Sequence, residues 1–88
     1  MKLGMYGLYD TVSERFMTPQ PFRSNGEALR AFTELCTSGE KPSGIFPRDL
    51  ELHKLFDFDD VSGIVKQDHV VLASYYSIKS EKEDKQSE

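Results

Sequence analysis

Residues 46–63 read FPRDLELHKLFDFDDVSG and carry the strongest structural signal in the chain. Four apolar residues in this run are spaced by even numbers, which predicts a strand with all four side chains on one face. They are Leu50, Leu52, Phe56 and Phe58. Residues 59–63 predict a turn, because Asp bonds its own backbone and Gly63 can adopt a positive φ. Since a second apolar run follows, residues 50–58 and 69–76 are predicted to form a β-hairpin.

A helix is predicted upstream of this hairpin. Ser24-Asn25-Gly26-Glu27 forms a capping box, in which the Ser24 hydroxyl accepts from the Glu27 amide and the Glu27 carboxylate reaches the Ser24 amide. An apolar stripe with helical spacing follows, and Gly39 is placed to end the helix. The stripe consists of Ala28, Leu29, Phe32, Leu35 and Cys36.

The N-terminal part of the chain predicts further strands. Residues 2–9 are apolar on both faces, which is typical of a central strand or of a dimer contact. Asp10 and Thr11 can turn the chain, and residues 15–18 predict a short return strand. Because Pro19 and Pro21 cannot donate to a ladder, residues 15–22 must form an edge strand or an extended loop.

These elements predict an α+β fold, with one amphipathic helix packed on a three- or four-stranded antiparallel sheet in the order β-(β)-α-β-β. Residues 1–76 are expected to form a single domain, and residues 77–88 a disordered charged tail. A chain of 88 residues buries little surface, and its first strand is apolar on both sides. We therefore expect a homodimer.

Composition excludes several classes of protein. No run of eighteen apolar residues exists, so no membrane span is expected. Cys36 is the single cysteine, which excludes an intrachain disulfide and suits a reducing cytoplasm. The net charge of −4 argues against wrapping of duplex nucleic acid by bulk electrostatics.

Catalytic and metal-binding patterns are also missing from the sequence. His53 is expected on a solvated strand face and His69 in an exposed position, and a zinc site would lack ligands. Three aspartates, Asp57, Asp59 and Asp60, fit a turn better than a cation-binding loop. No glycine-rich phosphate loop is present. We therefore expect neither an enzyme nor a bound cofactor or metal.

One cluster of residues could contact single-stranded nucleic acid. Three of the four arginines lie within sixteen residues, where they could bind phosphate while nearby aromatic rings stack on bases. The candidate residues are Arg15, Arg23 and Arg30 with Tyr6, Phe16 and Phe22. Ordinary surface charge and core packing are the alternative interpretation, since acidic residues are interspersed with these arginines.

Three blocks of the chain resemble the small nonstructural protein of gokushoviruses, which are Microviridae phages. The first block comprises residues 2–3, 8–10 and 12–16, the second residues 25–32, and the third residues 47–52 with residues 58–63, in this order. The chain departs from the usual pattern of the family at three positions. Lys54 stands where the family usually has an apolar residue, and Phe56 stands where it often has glycine. The family's usual Pro-Glu-Asp reads Pro47-Arg48-Asp49 in this chain.

The resemblance implies a phage-encoded, non-virion protein of the host bacterial cytoplasm. It further implies a role in genome replication, at the switch from double-stranded to single-stranded DNA synthesis, with single-stranded DNA binding as the suggested activity. No catalytic residues are implied. The alternative is a protein-interaction module that binds a phage or host replication or assembly protein without contacting nucleic acid, which the negative net charge favours.

Overall fold

The computed structural model describes residues 1–38 and 46–78. In chain order, the elements are β1 (Lys2–Asp10), β2 (Arg15–Phe16), β3 (Gln20–Phe22), α1 (Asn25–Ser38), β4 (Leu50–Asp59) and β5 (Val65–Ser74), with a 3₁₀ turn at Pro47–Asp49 before β4. The predicted helix end at Gly39 lies outside the described residues.

All strands in the described part of the chain belong to one antiparallel sheet in the order β2-β1-β4-β5, and β3 also pairs with β1. The predicted α+β class is confirmed, with five strands instead of three or four. The predicted return strand is divided, because β2 pairs with the end of β1 and β3 pairs nearer its start. Pro21 lies within β3 at the edge of the sheet, where its missing donor is tolerated.

The predicted helix cap is confirmed with one change of partner. The Glu27 amide donates to the Ser24 hydroxyl at 3.2 Å. The Glu27 carboxylate accepts from the Arg23 amide at 3.3 Å, one residue before the predicted Ser24 amide. Both bonds satisfy backbone donors at the start of the helix, so the local sequence sets where α1 begins.

The predicted hairpin is confirmed in β4 and β5, and its turn has the expected chemistry. The Asp59 carboxylate accepts from the Val61 amide at 2.9 Å, and this bond above all holds the pKa of Asp59 below its ordinary value. Gly63 donates to the Asp59 carbonyl at 2.8 Å and has a φ of 77°. Glycine suits this left-handed conformation, since it has no Cβ.

Strand β5 ends at Ser74, two residues before the predicted end of this hairpin arm, and residues 75–78 are helical. Ser74 and Ser77 exchange hydrogen bonds, with the Ser74 amide donating to the Ser77 hydroxyl at 2.9 Å and the Ser77 amide to the Ser74 hydroxyl at 3.3 Å. These short-range bonds compete with the ladder and end the strand. The predicted extension of this strand to residue 76 is therefore wrong, because Tyr75 and Tyr76 lie in the helical turn.

The hydrophobic core lies between α1 and one face of the sheet. Within residues 1–38 and 46–78 it contains seven buried hydrophobic residues: Tyr6, Ala28, Phe32, Leu50, Leu52, Ala73 and Ile78. Ile78 had been assigned to the disordered tail, yet it packs in this core, so the packed part of the chain extends at least to residue 78. The rest of the predicted tail, residues 79–88, lies outside the described residues.

A β-bulge at Leu55 changes which strand residues share a face. Lys54 pairs with Tyr6 of β1, whereas Phe56 pairs with the adjacent Met5, so Leu55 is an extra residue in β4. Because one inserted residue reverses the alternation of side chains, Phe56 and Phe58 lie on the face opposite Leu50 and Leu52. The prediction that these four side chains share one face is wrong.

Candidate functional site

The sheet has one face covered by α1 and one face that no described element covers. Tyr6 marks the covered face, because its hydroxyl donates to Asn25 of the helix at 2.6 Å. The strand register assigns the odd-numbered residues of β1 and their partners to the other face, here called the open face. Its side chains come from Leu3, Met5, Tyr9, Phe16, Pro21, Glu51, His53, Leu55, Phe56, Phe58, Val65, Gln67, His69, Val71 and Ser74.

The open face is apolar and partly exposed. Phe16 is 41% exposed, Val65 58% and Val71 57%, and most of the other apolar residues on this face are half-buried. Among the open-face residues named above, Glu51 carries a formal negative charge and none is a lysine or arginine. A surface poor in charge and rich in aromatic residues resembles the core of a protein interface more than a nucleic-acid site.

A chain of three polar side chains crosses this face. His53 Nε2 lies 3.0 Å from Glu51 Oε1, and His53 Nδ1 lies 2.8 Å from His69 Nε2. With one proton on each ring, His53 donates to the carboxylate and accepts from His69, so every close contact has a donor and an acceptor. His53 is only 7% exposed, which corrects the prediction of a solvated position. The expected exposure of His69 is confirmed.

Aromatic rings enclose the two histidines. The Phe16 ring lies 5.1 Å from that of His53 and 5.9 Å from that of His69, and Tyr9 packs 4.9 Å from Phe16. Gly7 makes room for this packing, because a Cβ at Gly7 would lie 3.0 Å from Leu55 and 3.4 Å from Phe16. Within residues 1–38 and 46–78, no three His, Cys, Asp or Glu side chains are arranged to hold a metal ion.

The residues proposed for nucleic-acid contact do not form one surface. Arg15, Arg23 and Arg30 are exposed. Tyr6 is buried against the helix, so its ring face cannot stack on a base, and Phe22 packs on the Tyr6 ring at 5.7 Å between centroids. Phe16 lies on the open face, away from Tyr6 and Phe22. The structure therefore separates the aromatic members of the predicted set.

Lys54 places a charge on the covered side of the sheet, and two carboxylates neutralise it. Its ammonium lies 3.0 Å from Asp57 and 3.0 Å from Asp68. The hydrogen bond to Asp57, followed by that to Asp68, raises the pKa of Lys54. This local pairing explains how a lysine is accommodated at a strand position that the family resemblance expects to be apolar.

An apolar cleft of about 280 Å³ separates part of α1 from the β1–β3 edge of the sheet. Leu8, Met17 and Phe22 line one side, and Ala31 and Leu35 of α1 line the other. Few polar groups converge on it, so it offers little to orient a ligand.

Sequence reasoning identified two parts of the open face, Phe16 as a base-stacking candidate and the first strand as a central strand or dimer contact, but not the face as one site. One signal was present, because residues 2–9 are apolar on both sides and a single helix can cover only one of them. The contact between His53 and His69 carried no such signal, since it depends on the register across the hairpin.

The fold and the site define a small α+β protein in which, among the described residues, one long helix covers one face of an antiparallel sheet and leaves an aromatic face open. The chain belongs to the phage ORF5 protein family, whose model matches residues 3–78. It is therefore a phage protein. No curated protein and no solved structure matches the chain. No helix in the described part of the chain is long and apolar enough to cross a membrane.

Proposed function

We propose that this phage protein is a non-enzymatic factor of the genome-replication stage in a Microviridae phage, and that it acts by protein–protein contact through the open face. The aromatic character of that face, and its low content of charged side chains, carry the proposal. The resemblance to gokushovirus nonstructural proteins supports the replication stage, at the switch to single-stranded DNA synthesis in the host cytoplasm.

Two neighbouring valines of β5 allow a matched test of this function. Val71 pairs with His53 on the open face, whereas Val70 pairs with Lys54 on the covered side. Both are exposed, so glutamate at either position should leave the fold intact. In cells infected with phage carrying Val71→Glu, single-stranded progeny DNA should fall at least ~10-fold, because a charge desolvated in an apolar contact is strongly unfavourable.

Phage carrying Val70→Glu should accumulate progeny DNA at the wild-type level. Double-stranded replicative DNA, quantified in the same cells, should be unchanged for both variants. Equal single-stranded DNA levels for Val71→Glu and wild type would contradict the proposed function.

Single-stranded DNA binding is the second candidate function, and the exposed arginines favour it. Arg15, Arg23 and Arg30 have no ion pair with any described residue, so their guanidinium groups are available to phosphate. Because the protein is acidic overall, affinity would depend on a few local contacts.

Fluorescence anisotropy with a labelled oligonucleotide at several salt concentrations tests this second function. Binding should be weak, with a salt slope that corresponds to about two or three phosphates. Exchanging Arg15 and Arg23 for alanine should lower the affinity for DNA and flatten its dependence on salt. Arg48→Ala is the control, because Arg48 lies outside the Arg15–Arg30 cluster, and it should change neither. If no binding occurs at low salt and high micromolar protein, DNA binding is excluded.

A further inference from the structure

We infer that the partner of the open face is a second copy of this chain, packed face to face about a two-fold axis. This inference rests on the proposed function, in which the open face is a protein contact. The dimer is a sandwich of two sheets about 10 Å apart, with strands of the two sheets at roughly 30°. One helix covers each outer side, so the assembly has four layers.

The size of the open face suits such a dimer. Strands β1, β4 and β5 have nine or ten residues, and at ~3.3 Å per residue they are about 30 Å long. These three long strands, spaced by ~4.8 Å, give a width of roughly 14 Å, and the short strands β2 and β3 add only part of a fourth. The projected area is therefore on the order of 400–600 Å². A standard interface takes about 800 Å² of accessible surface from each partner, and a face covered by side chains exceeds its flat projection.

The charge of the open face is compatible with self-association. In a two-fold dimer, a face meets its own copy, so a strongly charged face repels itself. The carboxylate of Glu51 already lies 3.0 Å from His53 Nε2, and the remaining side chains of the face are apolar, neutral polar or histidine. The lysine and the aspartate of β5, Lys66 and Asp68, lie on the other side of the sheet.

The small core also favours a second copy. The covered face alone buries seven hydrophobic residues, whereas the apolar side chains of the open face stay half-buried or exposed. Packing the two open faces together would bury Met5, Phe56 and Phe58 in each copy, and apolar burial drives association. The dimer thus provides the second half of the core of a short chain.

The outer edge of β5 is the competing contact, because an unpaired edge strand can pair with another copy. The ladder between β4 and β5 is irregular at two places, between Leu52 and His53 and between Lys54 and Phe56. Bulges of this kind twist an edge and protect it from pairing. The structure therefore favours the face over the edge.

Sedimentation or light scattering of the full chain tests the inference. The wild-type protein at tens of micromolar should have twice the mass of the chain. Val71→Glu places a charge on the open face of both copies and should weaken dimerisation at least ~10-fold. Val70→Glu changes the neighbouring residue on the opposite side of the same strand and should leave the dimer unchanged. Val65→Glu, at the start of β5 on the open face, should act like Val71→Glu.

Three outcomes would overturn the inference: a monomeric wild type, a dimer that persists in Val71→Glu and Val65→Glu, or a dimer that Val70→Glu and Val71→Glu disrupt equally. Circular dichroism verifies that each variant is folded. If the wild-type protein is monomeric but phage carrying Val71→Glu makes less single-stranded progeny DNA, the proposed function stands and the open face binds another protein. If Val71→Glu is monomeric but viral DNA levels do not change, the inferred dimer stands and the proposed function is excluded.

Discussion

Replacing Phe32 with alanine should lower the free energy of unfolding by about 3–5 kcal/mol, which is the usual cost of removing a fully buried phenylalanine. Phe32 is 2% exposed and packs with Ala28 of α1 and Leu52 of β4 in the core. A chain of this size has a stability of only ~5 kcal/mol. Urea denaturation followed by circular dichroism should therefore show a variant with only about 0–2 kcal/mol of stability left, so that up to about half of the molecules are unfolded at 25 °C without urea.

Phe46→Ala is the matched control, since the Phe46 side chain is 50% exposed. Its ring lies 5.3 Å from the Arg48 guanidinium, a contact worth about 0.5–1 kcal/mol at an exposed site. Because half of the Phe46 side chain already lies in water, the expected loss is below about 1.5 kcal/mol. Equal destabilisation by the two variants would contradict the placement of the core between α1 and the sheet. Both must be measured at one protein concentration, because dimerisation would couple stability to concentration.

Replacing Gly4 with alanine should destabilise the protein by about 1–3 kcal/mol through overpacking. A Cβ at Gly4 would lie 2.6 Å from Tyr6 Cε1 and 2.7 Å from its hydroxyl oxygen. The ring cannot easily move away, because Tyr6 is buried and its hydroxyl donates to Asn25 at 2.6 Å. The variant should lower the midpoint of urea unfolding without changing the slope.

Gly26→Ala is the control for the same substitution in open surroundings. A Cβ at Gly26 in the first turn of α1 would meet only the Ser24 hydroxyl oxygen, at 3.7 Å. Alanine also reduces the freedom of the unfolded chain, so this variant should gain about 0.4–1 kcal/mol. If Gly4→Ala were as stable as Gly26→Ala, the Tyr6 ring could not lie over Gly4.

Burial of Tyr6 also bears on the candidate site. An aromatic residue beside arginines is a reasonable candidate for base stacking, and sequence alone does not show which face of a two-sided strand the helix will cover. The same helix that buries Tyr6 leaves Tyr9 and Phe16 on the open face. The site could be anticipated as an apolar strand face in need of a partner, but not as the cluster around His53 and His69.

Local signals in the sequence were sufficient for several elements. The Ser24–Glu27 box predicts the start of α1, and the Asp59–Gly63 segment predicts the hairpin turn. Both depend on hydrogen bonds between residues at most four positions apart, so their energies are determined before any long-range contact forms.

Long-range packing decided the face on which each side chain of β4 lies. Alternation predicts side-chain direction only within an unbroken run, and the bulge at Leu55 reverses it. Whether a bulge forms depends on the register with both neighbouring strands, β1 and β5, which are distant in sequence. For the same reason the composition of the open face, including the contact of His53 with His69, follows from the assembled sheet and not from any single segment.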